Sequence, residues 1–303
     1  MTEAIDFSTL ARPAAIEPLD YETLLNAWWT RFLAAWETLR AINPALPQYN
    51  FEGRDADPVA AVAQAWSFIR LLDRARVNDA VLAVLAPFAT GSDLDAIVAR
   101  QGLARLVVVP ATETTAAITE TDDRLRLRYY ASFDRPSAGS PGKYIYETLT
   151  AWPACHSVVV LGRAVHGRRG DVEVVICGPA GRAPTADEMA LVRTAIHQPG
   201  VKAEATSVSI LAAKRAVYTV ALRLRIRSGP SPDVVVSDAR SRVASVTEAR
   251  ARIGAAIPSN LLPGAAYDPT NVIEVLDLAP VRIAADPYTV PVCEGAAIDW
   301  VAA

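Results

Sequence analysis

Arg135-Pro-Ser-Ala-Gly-Ser-Pro-Gly142 is a run of turn residues, and the hydrophobic pattern differs on its two sides. Upstream, apolar residues recur at helical spacing; downstream they come as short β-branched runs. Pro, Ser and Gly favour turn conformations and interrupt regular hydrogen bonding. A domain boundary is therefore expected here, with a helical part over residues 1–135 and an α+β part over 136–303. A further division near 212/213 separates subdomains of about 140–212 and 213–303. Ser140 and Pro141 suit the cap and first position of a helix carrying Tyr144, Tyr146 and Leu149. Gly139 and Gly142 are the expected hinge.

Upstream of this run, Leu25, Trp28, Trp29, Phe32, Trp36 and Leu39 mark an amphipathic helix over Tyr21–Ile42, with Asp20 as N-cap and Asn43-Pro44 as its stop. Trp28, Phe32 and Trp36 line one side and are expected to meet a partner or a folded-back core. Asp57-Pro58 opens a second, unusually long helix toward Pro87, with Val62, Trp66, Ile69, Val77, Val81, Val84 and Phe88 as its stripe. Trp66 is the expected interface residue there. Shorter helices follow from Asp93 to Gly102 and from Asp122 toward Phe133.

Downstream, Val158–Leu161 and Val172–Ile176 read as a hairpin, and Thr185 with Glu188 forms the capping box of a helix ending near His197. Val208–Leu211 and Val217–Arg227 read as strands. In the second of these Tyr218, Val220, Leu222, Leu224 and Ile226 share one face, while Arg223, Arg225 and Arg227 share the other and are expected at a protein interface. Asp233–Ile253 reads as a helix, Asp268–Leu276 as a short helix, and Val281–Ala284 and Ala297–Val301 as closing strands. The fold class is α+β, a helical N-terminal part with a long helix followed by an α/β part with a mainly antiparallel sheet.

The 303 residues are 51% apolar and 21% charged, with a formal net charge of −3. That composition specifies a globular core and gives no basic excess for nucleic acid. The charge is nevertheless polarised. Residues 1–60 carry a net −5 and residues 214–252 a net +6. The N-terminal sequence has no signal-peptide pattern, and the most apolar run, Ala80–Ala89, is too short to span a bilayer. Neither a membrane nor nucleic acid is expected as a partner. Cys155, Cys177 and Cys293 lack any finger or C-x-x-C spacing and suit a reducing compartment.

No chemistry-bearing motif outweighs its structural reading. His156, His166 and His197 are isolated, so no metal is expected. Cys155 and His156 are adjacent on an extended segment and point to opposite sides. Gly139-Ser-Pro-Gly142 is not a nucleophile elbow, because the Pro removes an oxyanion-hole N–H. Arg169-Gly-Asp171 reads as a turn, and the pairs Asp55/Asp57 and Asp93/Asp95 as helix caps. Neither catalytic residues nor a cofactor are expected. The competing class is a small cytoplasmic hydrolase assembled from dispersed residues such as Cys155, His156 and Asp171.

The order of motifs resembles that of the baseplate J-like proteins, wedge components of contractile phage tails and related injection machines. The resemblance rests on Asp55-Ala-Asp57-Pro58, Arg76-Val-Asn78, Ala89-Thr-Gly91-Ser-Asp-Leu94-Asp95 and Leu103-Ala-Arg105. It continues in Asp122-Asp-Arg-Leu-Arg126-Leu-Arg128, Ser137-Ala-Gly139 with Tyr144, Val158 with Gly170-Asp-Val172, and Val208 followed by Tyr218-Thr-Val220. It implies a structural virion component assembled in the bacterial cytoplasm, in which two copies join a second wedge protein through an N-terminal helical bundle. The α/β part would link wedges into an inner ring, beside a sheath-initiator or lysozyme-like baseplate protein. No catalytic residue comes with the resemblance.

Overall fold

The computed structural model describes residues 10–49, 57–229 and 231–302. The chain divides into two compact units, Met1–Ala104 and Arg105–Ala303. Asp55, first residue of the resembling motif and of one capping pair, lies outside the described residues.

The first unit holds α1 (Tyr21–Ile42), α2 (Pro58–Ala83) and α3 (Gly91–Ala99). Asp20 caps α1 by accepting from the Glu22 N–H at 3.0 Å. Asp57 caps α2 in the same way through Val59 at 2.9 Å, with Pro58 in the first turn. α1 packs on α2. Ala63 and Ser67, one turn apart on α2, are fully buried, and small side chains at that spacing let two helix backbones approach closely. The Ser67 hydroxyl is satisfied by the Ala63 carbonyl at 2.7 Å. Asn78 straps the segment preceding α1 to α2: its side chain accepts from Glu17 N–H at 3.0 Å and donates to Glu17 C=O at 2.8 Å. Arg74 adds an ion pair to the Glu17 carboxylate at 2.6 Å.

The second unit begins with a short antiparallel ribbon, β1 (Val107–Val109) and β2 (Ile118–Thr119). Then come α4 (Asp122–Ser132), α5 (Pro141–Ala151), β3 (Ser157–Leu161), α6 (Arg163–His166), β4 (Asp171–Cys177), α7 (Ala186–Ile196) and β5 (Ser207–Ala212). β3 pairs antiparallel and β5 parallel with β4. α5 and α7 bury Tyr144, Leu149, Val192 and Ile196 with Val174, Ile176 and Ile210 of this sheet. The remaining elements are β6 (Lys214–Ile226), α8 (Pro232–Arg250), α9 (Leu261–Ala266), β7 (Val272–Asp277) and β8 (Thr289–Ala302). β6 is central, antiparallel to β7 and parallel to β8. Its inward face, Tyr218 to Ile226, packs with Val235, Ala239 and Val243 of α8. A third cluster joins the two sheets through Val175, Cys177, Ile253, Val290 and Val292.

The α+β class and the helical N-terminal part are present, and each three-stranded sheet is mixed, with one antiparallel and one parallel pair. The run 135–142 lies within the second unit, between α4 and α5, which pack together. Two local expectations are corrected. The segment Asp268–Leu276 is not a helix: Asp268 holds a tight turn through Thr270 N–H and the Asn271 side chain, and Val272 onward pairs with β6 as β7. Val281–Ala284 reduces to a single bridge between Ile283 and Ile257.

Candidate functional site

The expected site residues are interface residues, and the structure distributes them over both units. On α1, Trp28 stacks on Phe32 with centroids 5.2 Å apart, and Phe32 on Trp36 at 6.1 Å. The connector after α1 folds back onto this stripe. Tyr49 sits edge-on to Phe32 at 5.0 Å and against Trp36 at 5.9 Å, and the Trp36 indole donates to the Pro47 carbonyl at 3.0 Å. The Tyr49 hydroxyl donates to Asp57 at 2.7 Å, tying the connector to the α2 cap. The stripe is half-buried, with cover supplied from within its own unit. Tyr49 was not identifiable from spacing, because it lies in a Pro-broken segment with no periodicity.

α2 is different. Ala63, Ser67 and Asn78 on one face are buried. Val62, Trp66, Ile69 and Val77, with the C-cap residue Val84, lie on a second face and are 45–72% exposed. Phe68 and Leu72 lie on a third face and are also exposed. At 3.6 residues per turn these faces are separated by roughly 120°. Large apolar residues on several sides approach the pattern of a helix buried in a bundle, with Arg70, Asp73 and Arg76 interrupting the second face. Here only one of its three faces is covered within the described residues.

On β6, Arg223 pairs with Asp299 of β8 at 3.3 Å and Arg225 with Glu274 of β7 at 3.2 Å. Arg215 likewise meets Glu294 at 3.1 Å. Asp299 and Glu274 sit in register with Arg223 and Arg225 on the neighbouring strands, so the arginine face is part of a cross-strand ladder of exposed ion pairs. Arg227, just past the strand, is exposed.

Gly139 and Gly142 are closely packed. Gly139 has φ +79°, donates to the Val201 carbonyl at 2.9 Å, and leaves space that a Cβ would take 3.2 Å from Ala203 Cβ. A Cβ on Gly142 would lie 2.1 Å from an Asp134 carboxylate oxygen.

The dispersed groups of the hydrolase reading are not arranged for catalysis. Burial pushes the Cys155 thiol up to about 12, partly opposed by Arg124, whereas an active nucleophile needs a depressed value. The Cys155 thiol donates to the Ser157 carbonyl at 3.4 Å, and the His156 N–H goes to Cys177 C=O at 2.8 Å. Asp171 is ion-paired to Arg168 at 3.0 Å. Among the described residues there is no cluster of three His, Cys, Asp or Glu that could hold a metal. No described helix is long and apolar enough to cross a membrane.

One polar group had no signal in the sequence. Glu120, fully buried at the root of the β1–β2 ribbon, pairs with buried Arg128 of α4. Arg105 donates to the Glu120 carbonyl at 2.9 Å and also pairs with Asp122. Through Asp122 and Arg128, the charged segment Asp122–Arg128 thus anchors the ribbon with ion pairs.

Two comparisons bear on this arrangement. Residues 55–112, which include α2 and α3, match the baseplate J-like N-terminal domain. The chain is also 27% identical over 268 residues to baseplate protein J of Escherichia phage P2, covering 82% of each chain. That span is longer than either unit alone, so the baseplate J-like similarity extends across both.

Proposed function

We infer that this baseplate J-like chain is a structural component of a phage-type tail baseplate that works through protein interfaces. The observation that carries the reading is the pair of uncovered apolar faces on α2, inside the segment that matches the baseplate J-like N-terminal domain. Large apolar side chains exposed on two faces of one helix are the kind of surface that marks interaction sites. In this reading the first unit docks on other wedge components, the aromatic stripe Trp28, Phe32 and Trp36 flanks the contact, and the second unit links wedges into a ring. Arg227 and the rim of the arginine ladder would meet an acidic neighbour. Reorientation during sheath contraction about Gly139 and Gly142 would require their contacts with Ala203 and Asp134 to release.

The test is incorporation. Tagged wild-type chain produced with its tail genes should co-purify with baseplates. Trp66→Asp changes an exposed position, so the chain should keep its helical circular dichroism and yet be lost from the particles. Incorporation of Trp66→Asp at the wild-type level would overturn the docking role of α2. Absence of the wild-type chain from particles would overturn the baseplate assignment itself.

A further inference from the structure

The two three-stranded sheets of the second unit are strung on one run of chain. β5 ends at Ala212 and β6 begins at Lys214, so Ala213 alone separates them. Among the described residues the chain passes from the first sheet to the second once, at that residue. The hydrogen-bond partner changes there: Ala213 N–H donates to the Ile176 carbonyl of β4 at 3.0 Å, and Lys214 N–H to the Tyr288 carbonyl at 2.8 Å. Each sheet has its own helix-covered core, under α5 and α7 in one and under α8 and α9 in the other.

Between the sheets lies a smaller cluster, in which Leu161, Val175 and Cys177 of the first meet Ile253, Val290 and Val292 from beyond Ala213. Polar contacts tie its rim. The Tyr288 hydroxyl donates to the buried Glu173 carboxylate at 2.6 Å, Arg168 pairs with the same carboxylate and with Asp171, and the Ile253 N–H donates to Ser157 Oγ at 3.3 Å. Tyr288 first, and Arg168 after it, hold the Glu173 carboxyl below the ordinary carboxylate range. The turn Pro179–Gly181 is fitted to the same cluster. Ala180 has φ +51° and Gly181 φ +70°, conformations that a side chain makes costly, and a Cβ on Gly181 would lie 2.7 Å from Val292 Cγ2.

We propose that this joint is a latched hinge: the half of the unit after Ala213 swings away from the first sheet about that residue, and the bond from Tyr288 to Glu173 holds it shut. A residue between two elements is where a hinge absorbs its backbone change, and a single crossing leaves one such place. The joint cluster shares no residue with either core, so both cores stay intact when the halves part. The latch is concentrated in one hydroxyl. Arg168 and Glu173 belong to the same half, so their ion pair survives opening. Without the Tyr288 hydroxyl, the side-chain hydrogen bond that still crosses the joint among the described residues is the longer one from Ile253 to Ser157. The hinge is a property of the chain alone and does not depend on the baseplate reading.

The cysteines make it testable in the full chain. Cys177 lies in the joint cluster, Cys155 in the core of the first sheet, and Cys293 is partly exposed. Burial pushes Cys177 up to about 11 and Cys155 up to about 12, so each reacts with a thiol reagent only when its surroundings open. In a Cys293→Ser background under native conditions, N-ethylmaleimide labelling mapped by peptide mass should modify Cys177 before Cys155. Tyr288→Phe deletes one hydroxyl. It should raise the Cys177 rate about tenfold or more, the size of a lost hydrogen bond to a charged group, and leave the Cys155 rate unchanged. Gly181→Ala wedges the joint from its apolar side and should likewise raise Cys177 over Cys155. Equal rates at the two cysteines before Tyr288 is changed, or an equal rise at both in Tyr288→Phe, would show that Cys177 is reached only by unfolding of the whole unit and would overturn the hinge. An unchanged Cys177 rate in Tyr288→Phe would overturn the latch.

Discussion

The two units of the chain treat apolar residues in opposite ways. In the second, β6 turns Tyr218, Val220, Leu222, Leu224 and Ile226 inward against α8, and a further cluster joins both sheets. In the first, α2 buries Ala63, Ser67 and Asn78 while Val62, Trp66, Phe68, Ile69, Leu72 and Val77 face outward. Its buried positions are therefore small or polar, and its large apolar ones are open. Since folding is driven mainly by removing apolar surface from water, the second unit has a complete core by itself, whereas in the proposed reading the open faces of α2 are covered only on assembly. The contrast separates a stability role from a docking role along one chain.

The largest test of the self-sufficient unit is its buried ion pair. Glu120→Ala removes a fully buried carboxylate from its ion pair with buried Arg128, and breaking a buried pair typically costs about 3–5 kcal/mol. Denaturant unfolding should show that loss in the transition of the second unit. A loss of a few tenths of a kcal/mol would mean that the ribbon root is hydrated and the unit less complete than its burial indicates.

A matched pair of truncations sharpens the contrast. Leu224→Ala removes a fully buried side chain from the β6–α8 core and should cost about 2–5 kcal/mol. Val62→Ala, on the open face of α2, should stay within about 0.5 kcal/mol in the isolated chain. Equal effects would show that the face of Val62 is covered in the free protein.

Where the chain divides is itself testable. Limited proteolysis that cuts first near Ala104 supports two units separated there, and a first cut within Arg135–Gly142 moves the boundary to the turn-rich run. The local features of that run were legible in sequence: Ser140 caps α5 through Lys143 N–H at 3.1 Å, with Pro141 beside it. Its packing was not, because the contact of α4 with α5 and the seat of Gly142 against Asp134 depend on residues distant from the turn signal. The same division runs through the whole chain. Caps at Asp20, Asp57 and Thr185 and the alternation of β6 are local and were readable. β7 was not, since the segment that reads as helical at Asp268–Leu276 is drawn into a strand by pairing with β6. The α2 site was half legible: its apolar stripe was visible, whereas which face α1 covers is a tertiary choice made by the small residues Ala63 and Ser67.

A smaller effect concerns the cap of α7. Arg182, with the Thr185 N–H, holds Glu188 at about 2, below its ordinary 4.5. A depressed carboxylate contributes stability above its unfolded value, and that contribution is lost as the pH falls from about 4.5 toward 2. Arg182 is 43% exposed, so solvent screening keeps the contribution below about 1 kcal/mol. Glu188→Gln should flatten the acid limb of the second unit's stability curve by that amount. An unchanged limb would show that the capping box acts through geometry alone.

The smallest expected effect on stability belongs to the arginine ladder of β6. Arg223 and Arg225 are paired with Asp299 and Glu274 at 3.2–3.3 Å, but both partners in each pair are 42–64% exposed. Exposed pairs contribute about 0–1 kcal/mol each. Replacing Arg223, Arg225 and Arg227 by Gln should therefore barely move the unfolding transition, because the face opposite them carries the core. Assembly is the more sensitive readout. Rim charges act mainly on encounter rate and salt dependence, and their field is screened within about 10 Å at 0.1 M salt. If the ladder meets an acidic neighbour, the triple variant should assemble more slowly than wild type at low ionic strength and equally at high. If assembly is the same at every ionic strength, the arginines serve only the acids of their own sheet, and the second unit's contribution to assembly must be sought on another surface.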